Sequence, residues 1–229
     1  MASTIVFDFD GTVVVGNGPV LAYARQMARY ADDAFLERTI ATIEAFEAGQ
    51  TDRFRDGYDV VGTLAAEAGI GSDDRQRAYF ASRAQLGSAE PAAAAPGLKE
   101  ILEQLPDATR VVLATNAPEA GVVSALGGWG VLDHFDEFVY DTGKPAGLTP
   151  IVERAIADGP VLSVGDIVEN DLAPAAELGA DTALVGATAA TSTSSVTMRA
   201  LTLAELADQI VAWAHAAEHD TTAHPISER

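Results

Sequence analysis

Four short apolar runs in this chain each stop abruptly at a polar group with chemistry to offer. Val6 to Thr12 reads Val-Phe-Asp-Phe-Asp-Gly-Thr, so Asp8 and Asp10 enter a Gly-Thr turn. Val111 to Asn116 reads Val-Val-Leu-Ala-Thr-Asn, and Pro118 then suits the first turn of a helix. Phe138-Val139-Tyr140 is followed by Gly143-Lys144-Pro145. Val161 to Asp166 reads Val-Leu-Ser-Val-Gly-Asp, with Glu169, Asn170 and Asp171 close behind. Such runs read as strands buried on both faces, the pattern of a parallel sheet covered by helices. Open parallel sheets gather ligands at the carboxyl ends of their strands. Asp8, Asp10, Thr115, Lys144, Asp166 and Asp171 are therefore expected to converge on one crevice of an α/β fold.

A cluster of that kind is poor scaffolding. Two carboxylates about 4 Å apart repel by about 4 kcal/mol at an effective dielectric of about 20. A fold keeps them together only with something cationic or protonated between them. Carboxylates joined by one lysine and one hydroxyl instead make a good site for a hard divalent cation and a phosphoryl group.

The four motifs, in this order and across residues 4–186, resemble the haloacid dehalogenase (HAD) superfamily of phosphotransferases. The resemblance implies a Rossmann-like parallel sheet with helices on both faces and a catalytic Mg²⁺. It implies that Asp8 is the nucleophile that becomes an aspartyl-phosphate, and that Asp10 is the general acid and then the general base. Thr115 and the backbone N–H of Asn116 would hold phosphoryl oxygens, and Lys144 would neutralise charge between Asp8 and the phosphoryl group. Asp8, the carbonyl of Asp10 and Asp166 would hold the metal, with Asp171 acting through water or by orienting Lys144. The chemistry suits these roles: a carboxylate is a weak nucleophile that needs charge neutralised beside it, and phosphoryl transfer depends on positioning and electrostatics. Members that cleave carbon–halogen bonds lack the acid at the position of Asp10, because a halide leaves without a proton. Asp10 therefore favours phosphate esters.

Residues 16–95 separate the first motif from the second. They open at Gly16-Asn17-Gly18-Pro19 and close at Glu90 to Pro96, both hinge-like in composition. Between them the pattern is helical: Val20, Tyr23, Ala24 and Met27 share a face, as do Ile40, Ile43 and Phe46. Tyr58, Val61, Leu64 and Ala65 mark a third helix, and Tyr79, Phe80 and Leu86 a fourth. This insertion resembles the family's α-helical cap, which closes over the active site. Arg53 and Arg55, in the segment that interrupts the helices, are candidate anchors for a substrate carboxylate or second phosphate. The expected organisation is thus a core of residues 1–15 and 96–216, a cap of residues 16–95, and a disordered tail from 217 to 229. Ala183-Leu184-Val185 is the expected last core strand, Ala187 to Val196 a loop, and Thr202 with Glu205 a capping box for a final helix.

The 229 residues include 34 acids and 14 bases, a net charge of −20. Without a basic face, nucleic acid is not an expected partner. The segment 16–95 carries 12 acids and 8 bases, which makes it the less repulsive part for an anionic substrate. There is no cysteine, so disulfides and thiolate zinc sites are excluded. Without a long apolar run, and with the first strand starting by residue 4, the expectation is a cytoplasmic protein with no membrane span or signal peptide. His215, Glu218 and His219 spell a zinc-peptidase pattern, but at the end of the last helix they read as solvated. The expected activity is Mg²⁺-dependent hydrolysis of a small phosphorylated metabolite by a monomer or homodimer. The alternatives are a phosphomutase of the β-phosphoglucomutase type and a non-catalytic relative that binds phosphate ligands.

Overall fold

The computed structural model describes residues 2–85, 92–119 and 121–222. The chain begins with strand β1 (Thr4–Phe7), passes through β2 (Val14–Val15) and enters four helices, α1 (Gly18–Ala28), α2 (Phe35–Glu47), α3 (Gly57–Glu67) and α4 (Ser72–Arg83). It returns through β3 (Ala93–Ala94) and alternates from there. The elements are α5 (Leu98–Gln104), β4 (Arg110–Ala114), α6 (Val122–Gly128), β5 (Glu137–Val139), α7 (Thr149–Asp158) and β6 (Val161–Gly165), then α8 (Ala173–Glu177), β7 (Asp181–Leu184), β8 (Met198–Arg199) and α9 (Leu203–Thr222).

Six strands form one parallel sheet in the order β5-β4-β1-β6-β7-β8. Its two faces follow from the period-2 alternation of strand side chains. Ile5, Phe7, Val111, Leu113, Leu162 and Val164 pack with α5, α6 and α9. Val6, Val112, Ala114 and Val161 point the other way, onto α7 and α8. The chain leaves β1 toward β4 and β5, then crosses back to β6. The order therefore reverses at β1 and β6, and the crevice at such a reversal lies beyond the carboxyl ends of those two strands.

Helices α1 to α4 bury their own core, including Tyr23, Met27, Phe35, Ile43, Phe46, Val60 and Val61, separate from the clusters on the sheet. The inserted segment thus packs as a helical cap with its own interior. The two crossings between cap and sheet are tied together rather than loose, because β2 and β3 pair antiparallel, Val14 with Ala94 and Val15 with Ala93. Glu90, Pro91 and Leu86 lie outside the described residues.

Several details differ from the sequence expectation. Thr39, not Ile40, is the fully buried partner of Ile43 on α2, its hydroxyl satisfied by the Phe35 carbonyl at 2.8 Å. Phe80 is 48% exposed, and α4 turns Ala78, Ser82 and Arg83 inward instead. The last core strand is β8, not β7: Met198 and Arg199 pair with Ala183 and Leu184. The expected loop also contains a 3₁₀ turn, Ala187–Ala190. Helix α9 runs to Thr222, past residue 216, because its apolar stripe continues through buried Ala214 and Ala217. Residues 223–229 lie outside the described residues. Among the described residues, no helix is long and apolar enough to cross a membrane.

Candidate active site

Asp8 follows β1 directly and is 9% exposed. Its backbone N–H donates to the Val164 carbonyl at 2.9 Å, which extends the β1–β6 ladder and fixes the carboxylate at the sheet edge. Lys144 reaches the same point from the segment after β5. Its Nζ, on a side chain only 3% exposed, donates to Asp8 Oδ1 at 2.5 Å and to Asp171 Oδ1 at 2.6 Å. The Lys144 backbone N–H donates to Asn116 Oδ1 at 2.7 Å, so the loop after β4 holds the lysine loop.

Asp171 sits in a π-type turn, Val168–Leu172, after β6. Its Oδ2 accepts from the Ile167 N–H at 3.0 Å while Oδ1 takes Lys144, so both oxygens are engaged. That arrangement suits orienting the lysine better than ligating a metal. Gly165 permits it, since a Cβ there would lie 2.3 Å from the Asp171 Cβ. Thr115 is 1% exposed; its Oγ1 accepts from the Ala117 N–H at 2.9 Å, which leaves the hydroxyl proton to donate.

Asp166 follows β6 and faces Asp8. Carboxylate oxygens of Asp8, Asp166 and Asp171 all lie within 4.8 Å of one another. Asp166 Oδ1 is buried with no hydrogen-bond partner. Gly11, at φ +87°, makes room for Asp166, because a Cβ there would lie 2.2 Å from Asp166 Oδ2. Burial, then the neighbouring Asp8 and Asp171 charges, pushes the Asp166 carboxyl well above the usual range. Burial likewise raises Asp8 from 3.8 to about 7, with Lys144 opposing and Asp171 adding to the shift. Burial works against the Lys144 ammonium, but Asp8 and Asp171 outweigh it and raise its pKa. One ammonium among three carboxylates leaves the cluster short of positive charge. An orphaned carboxylate oxygen beside an all-oxygen donor set fits a hard divalent cation such as Mg²⁺.

These shifts set a pH dependence. Because the folded Asp8 keeps its proton up to about pH 7 while the unfolded chain releases it near 3.8, its contribution to stability is complete below about 3.8 and is lost as pH rises through 7. Mg²⁺ bound to the ionised carboxylates would reverse that loss. Thermal unfolding should therefore show a larger Mg²⁺-induced rise in melting temperature at pH 8 than at pH 5, and an equal rise at both would contradict the charge balance described here.

The cap meets the site at Asp10. Asp10 Oδ1 accepts from Arg83 Nη1 at 2.8 Å and from Tyr58 Oη at 3.2 Å. Neither partner was singled out by sequence. Arg83 ends a helix whose exposed faces are polar, and only its i, i+4 spacing from the aromatic Tyr79 hinted that it turns inward. Of the two candidate cap arginines, Arg55 lines a cavity of about 200 Å³ between cap and core, beside Asp10 and Asp166. Arg53 is not brought to the site. It pairs with Glu67 and lies over the Phe54 ring at 5.0 Å, because Phe54 is the residue of that segment that enters the cap interior. A second cavity, of about 180 Å³, joins Asp8, Asp10, Thr115, Lys144 and Asp166 to Tyr58 and Tyr79 of the cap.

A parallel sheet with a helical cap over an Asp–Lys–Asp cluster defines a class of hydrolase, and the comparisons agree. The family model of the haloacid dehalogenase-like hydrolases matches residues 2–179, and the chain belongs to that family. A comparison with curated proteins gave no match. Among solved structures, the chain is similar to the HAD-hydrolase YfnB of Bacillus subtilis in its magnesium-bound form. That match has 17% identity and a TM-score of 0.62, and covers 91% of this chain and 98% of that one. It is similar to a HAD phosphatase from Thermococcus onnurineus at 20% identity and a TM-score of 0.54, covering 91% and 97%. A 2-haloacid dehalogenase from Pseudomonas syringae pv. Tomato DC3000 matches at 16% identity and a TM-score of 0.53, covering 93% and 100%. At these identities the likeness to the solved structures shows the fold.

Proposed function

We propose that this chain is a Mg²⁺-dependent phosphatase of a small phosphomonoester, working through an aspartyl-phosphate on Asp8. The carrying observation is the placement of Asp10 beside Asp8 with one carboxylate oxygen committed and the other uncommitted: no hydrogen bond among the described residues reaches Asp10 Oδ2. A dehalogenase has no use for a proton donor at that point.

In this reading a carboxylate oxygen of Asp8 bonds to phosphorus as the bond from phosphorus to the ester oxygen breaks, and Asp10 gives its proton to that oxygen. Asp10, now ionised, takes a proton from the water that attacks phosphorus, and Asp8 leaves as the carboxylate. Lys144 stays charged throughout and faces the phosphoryl oxygens, with Thr115 and the Asn116 N–H donating to them. Mg²⁺, which Asp8, Asp166 and the Asp10 carbonyl would hold, would supply the remaining charge neutralisation. The cluster of Asp8, Asp166 and Asp171 carboxylates and the magnesium-bound relative support the metal.

The leaving group is small and uncharged in this account. The larger cavity carries the carboxylates of Asp10, Glu47, Asp56 and Asp166 against Arg55, and Arg55 is already paired with Asp59 at 3.1 Å. The comparatively mild net charge of the cap therefore does not extend to the chamber under it. Phosphate release from a panel of phosphomonoesters, with Mg²⁺ and with EDTA, tests the reading. Turnover should need Mg²⁺ and should favour neutral alkyl or sugar monophosphates over esters with a carboxylate or second phosphate by about tenfold or more. Metal-independent turnover, or preference for the doubly anionic esters, would count against it. A cytoplasmic setting and a monomer or homodimer remain part of the proposal.

A further inference from the structure

We propose that Arg83 of the cap is the positioning residue for proton transfer at Asp10. The inference rests on Asp10 being the general acid of the phosphatase reading.

Arg83 is 2% exposed, a burial that arginine tolerates only when paired. Nη1 uses both its hydrogens, one on Asp10 Oδ1 and one on Tyr58 Oη, each at 2.8 Å. Tyr58 Oη in turn donates to the same Asp10 oxygen. The guanidinium carbon lies 5.9 Å from the centre of the Phe9 ring, next to Asp10 in sequence. Arg83 Nε and Nη2 are buried with no hydrogen-bond partner, so among the cap's side chains only Tyr58 Oη holds this cation. Arg38, Arg53, Arg55 and Arg77 pair with acids of the cap, whereas Arg83 pairs across to the core.

The consequence is geometric. Asp10 belongs to the core, but both donors on its Oδ1 come from the cap, Tyr58 from α3 and Arg83 from α4. Cap and sheet keep separate interiors, so the cap can shift as a unit. With Oδ1 clamped, Oδ2 is the oxygen that carries the proton into the cavity shared with Asp8, Thr115 and Lys144. Withdrawing the cap strips both donors from Asp10 and leaves a buried-type cation uncompensated, which favours the seated state.

The test separates this role from a structural one through the leaving group. Departure of p-nitrophenolate needs no proton, whereas phenolate is more basic and gains from one. The measurement is kcat/KM for phenyl phosphate and p-nitrophenyl phosphate with Mg²⁺, for the wild-type chain, Arg83→Met and Tyr58→Phe. Arg83→Met should slow phenyl phosphate by about 30-fold, part of the roughly 10²–10⁴-fold that general acid catalysis supplies, and p-nitrophenyl phosphate by less than about threefold. Tyr58→Phe keeps the ring and should show the same selectivity at smaller size, which preserves the test if Arg83→Met does not fold. Equal losses on both esters, or none on phenyl phosphate, would overturn the role of Arg83 while leaving the phosphatase reading intact. A wild-type chain that hydrolyses only the nitrophenyl ester would overturn the acid role of Asp10 and the proposal with it.

Discussion

Asp8→Asn should lower turnover of every ester the wild-type chain hydrolyses by about four orders of magnitude or more. Asparagine keeps the shape of the side chain but has no anionic oxygen to bond to phosphorus. The fold should survive, because the backbone N–H of residue 8 still donates to the Val164 carbonyl. Removing one carboxylate also relieves the crowding of Asp8 against Asp166 and Asp171, so the variant should unfold at the same or a higher temperature without Mg²⁺. Loss of activity together with retained stability assigns the effect to chemistry. Near-normal turnover in a folded Asp8→Asn protein would remove Asp8 from the reaction.

Lys144→Met should have the second largest effect, and it should fall on both stability and rate. The Lys144 backbone N–H remains held by Asn116 Oδ1, so the substitution removes the ammonium and little else. Asp8 and Asp171 then face each other, buried, with no cation between them. Breaking a buried ion pair on one side costs about 3 kcal/mol or more. The cost depends on pH. As pH falls through about 7 Asp8 takes up a proton, and burial favours the protonated form of Asp166 as well, so the penalty shrinks. Denaturant unfolding should thus show the larger loss at pH 8 and the smaller at pH 5.5, with Mg²⁺ restoring part of it at pH 8. Turnover should fall by about a thousandfold at both. A loss of stability independent of pH would mean that the lysine acts by packing rather than by charge.

The parts of the site that could be read from sequence are those on which sheet topology acts directly. Asp8, Thr115, Lys144, Asp166 and Asp171 each sit at or just beyond a strand end, and a parallel sheet lines up its strand ends whatever else the chain does. Helix periodicity likewise marked the cap, since Tyr23, Met27 and Ile43 do form its interior. Arg83 was barely legible, because apart from its i, i+4 spacing to Tyr79 nothing in Ser72–Arg83 distinguishes a buried arginine from the more exposed ones beside it. Its environment exists only once α4 docks over Phe9 and Asp10. Arg53 misled for the complementary reason: a cation next to an aromatic looks like an anchor, but the aromatic took the interior and left the arginine outside. Strand β8 has two residues and follows an Ala-, Ser- and Thr-rich stretch, so its pairing with β7 carries no local signal.

The most direct test of the central claim is acid-quenched mixing of the Mg²⁺-loaded protein with a turned-over phosphomonoester, followed by mass spectrometry of its peptides. A phosphoryl group is expected on the peptide containing Asp8, labile to alkali, formed within the first turnover and lost when substrate is exhausted. Sustained turnover with no phosphorylated peptide, or with the label on another residue, would contradict it.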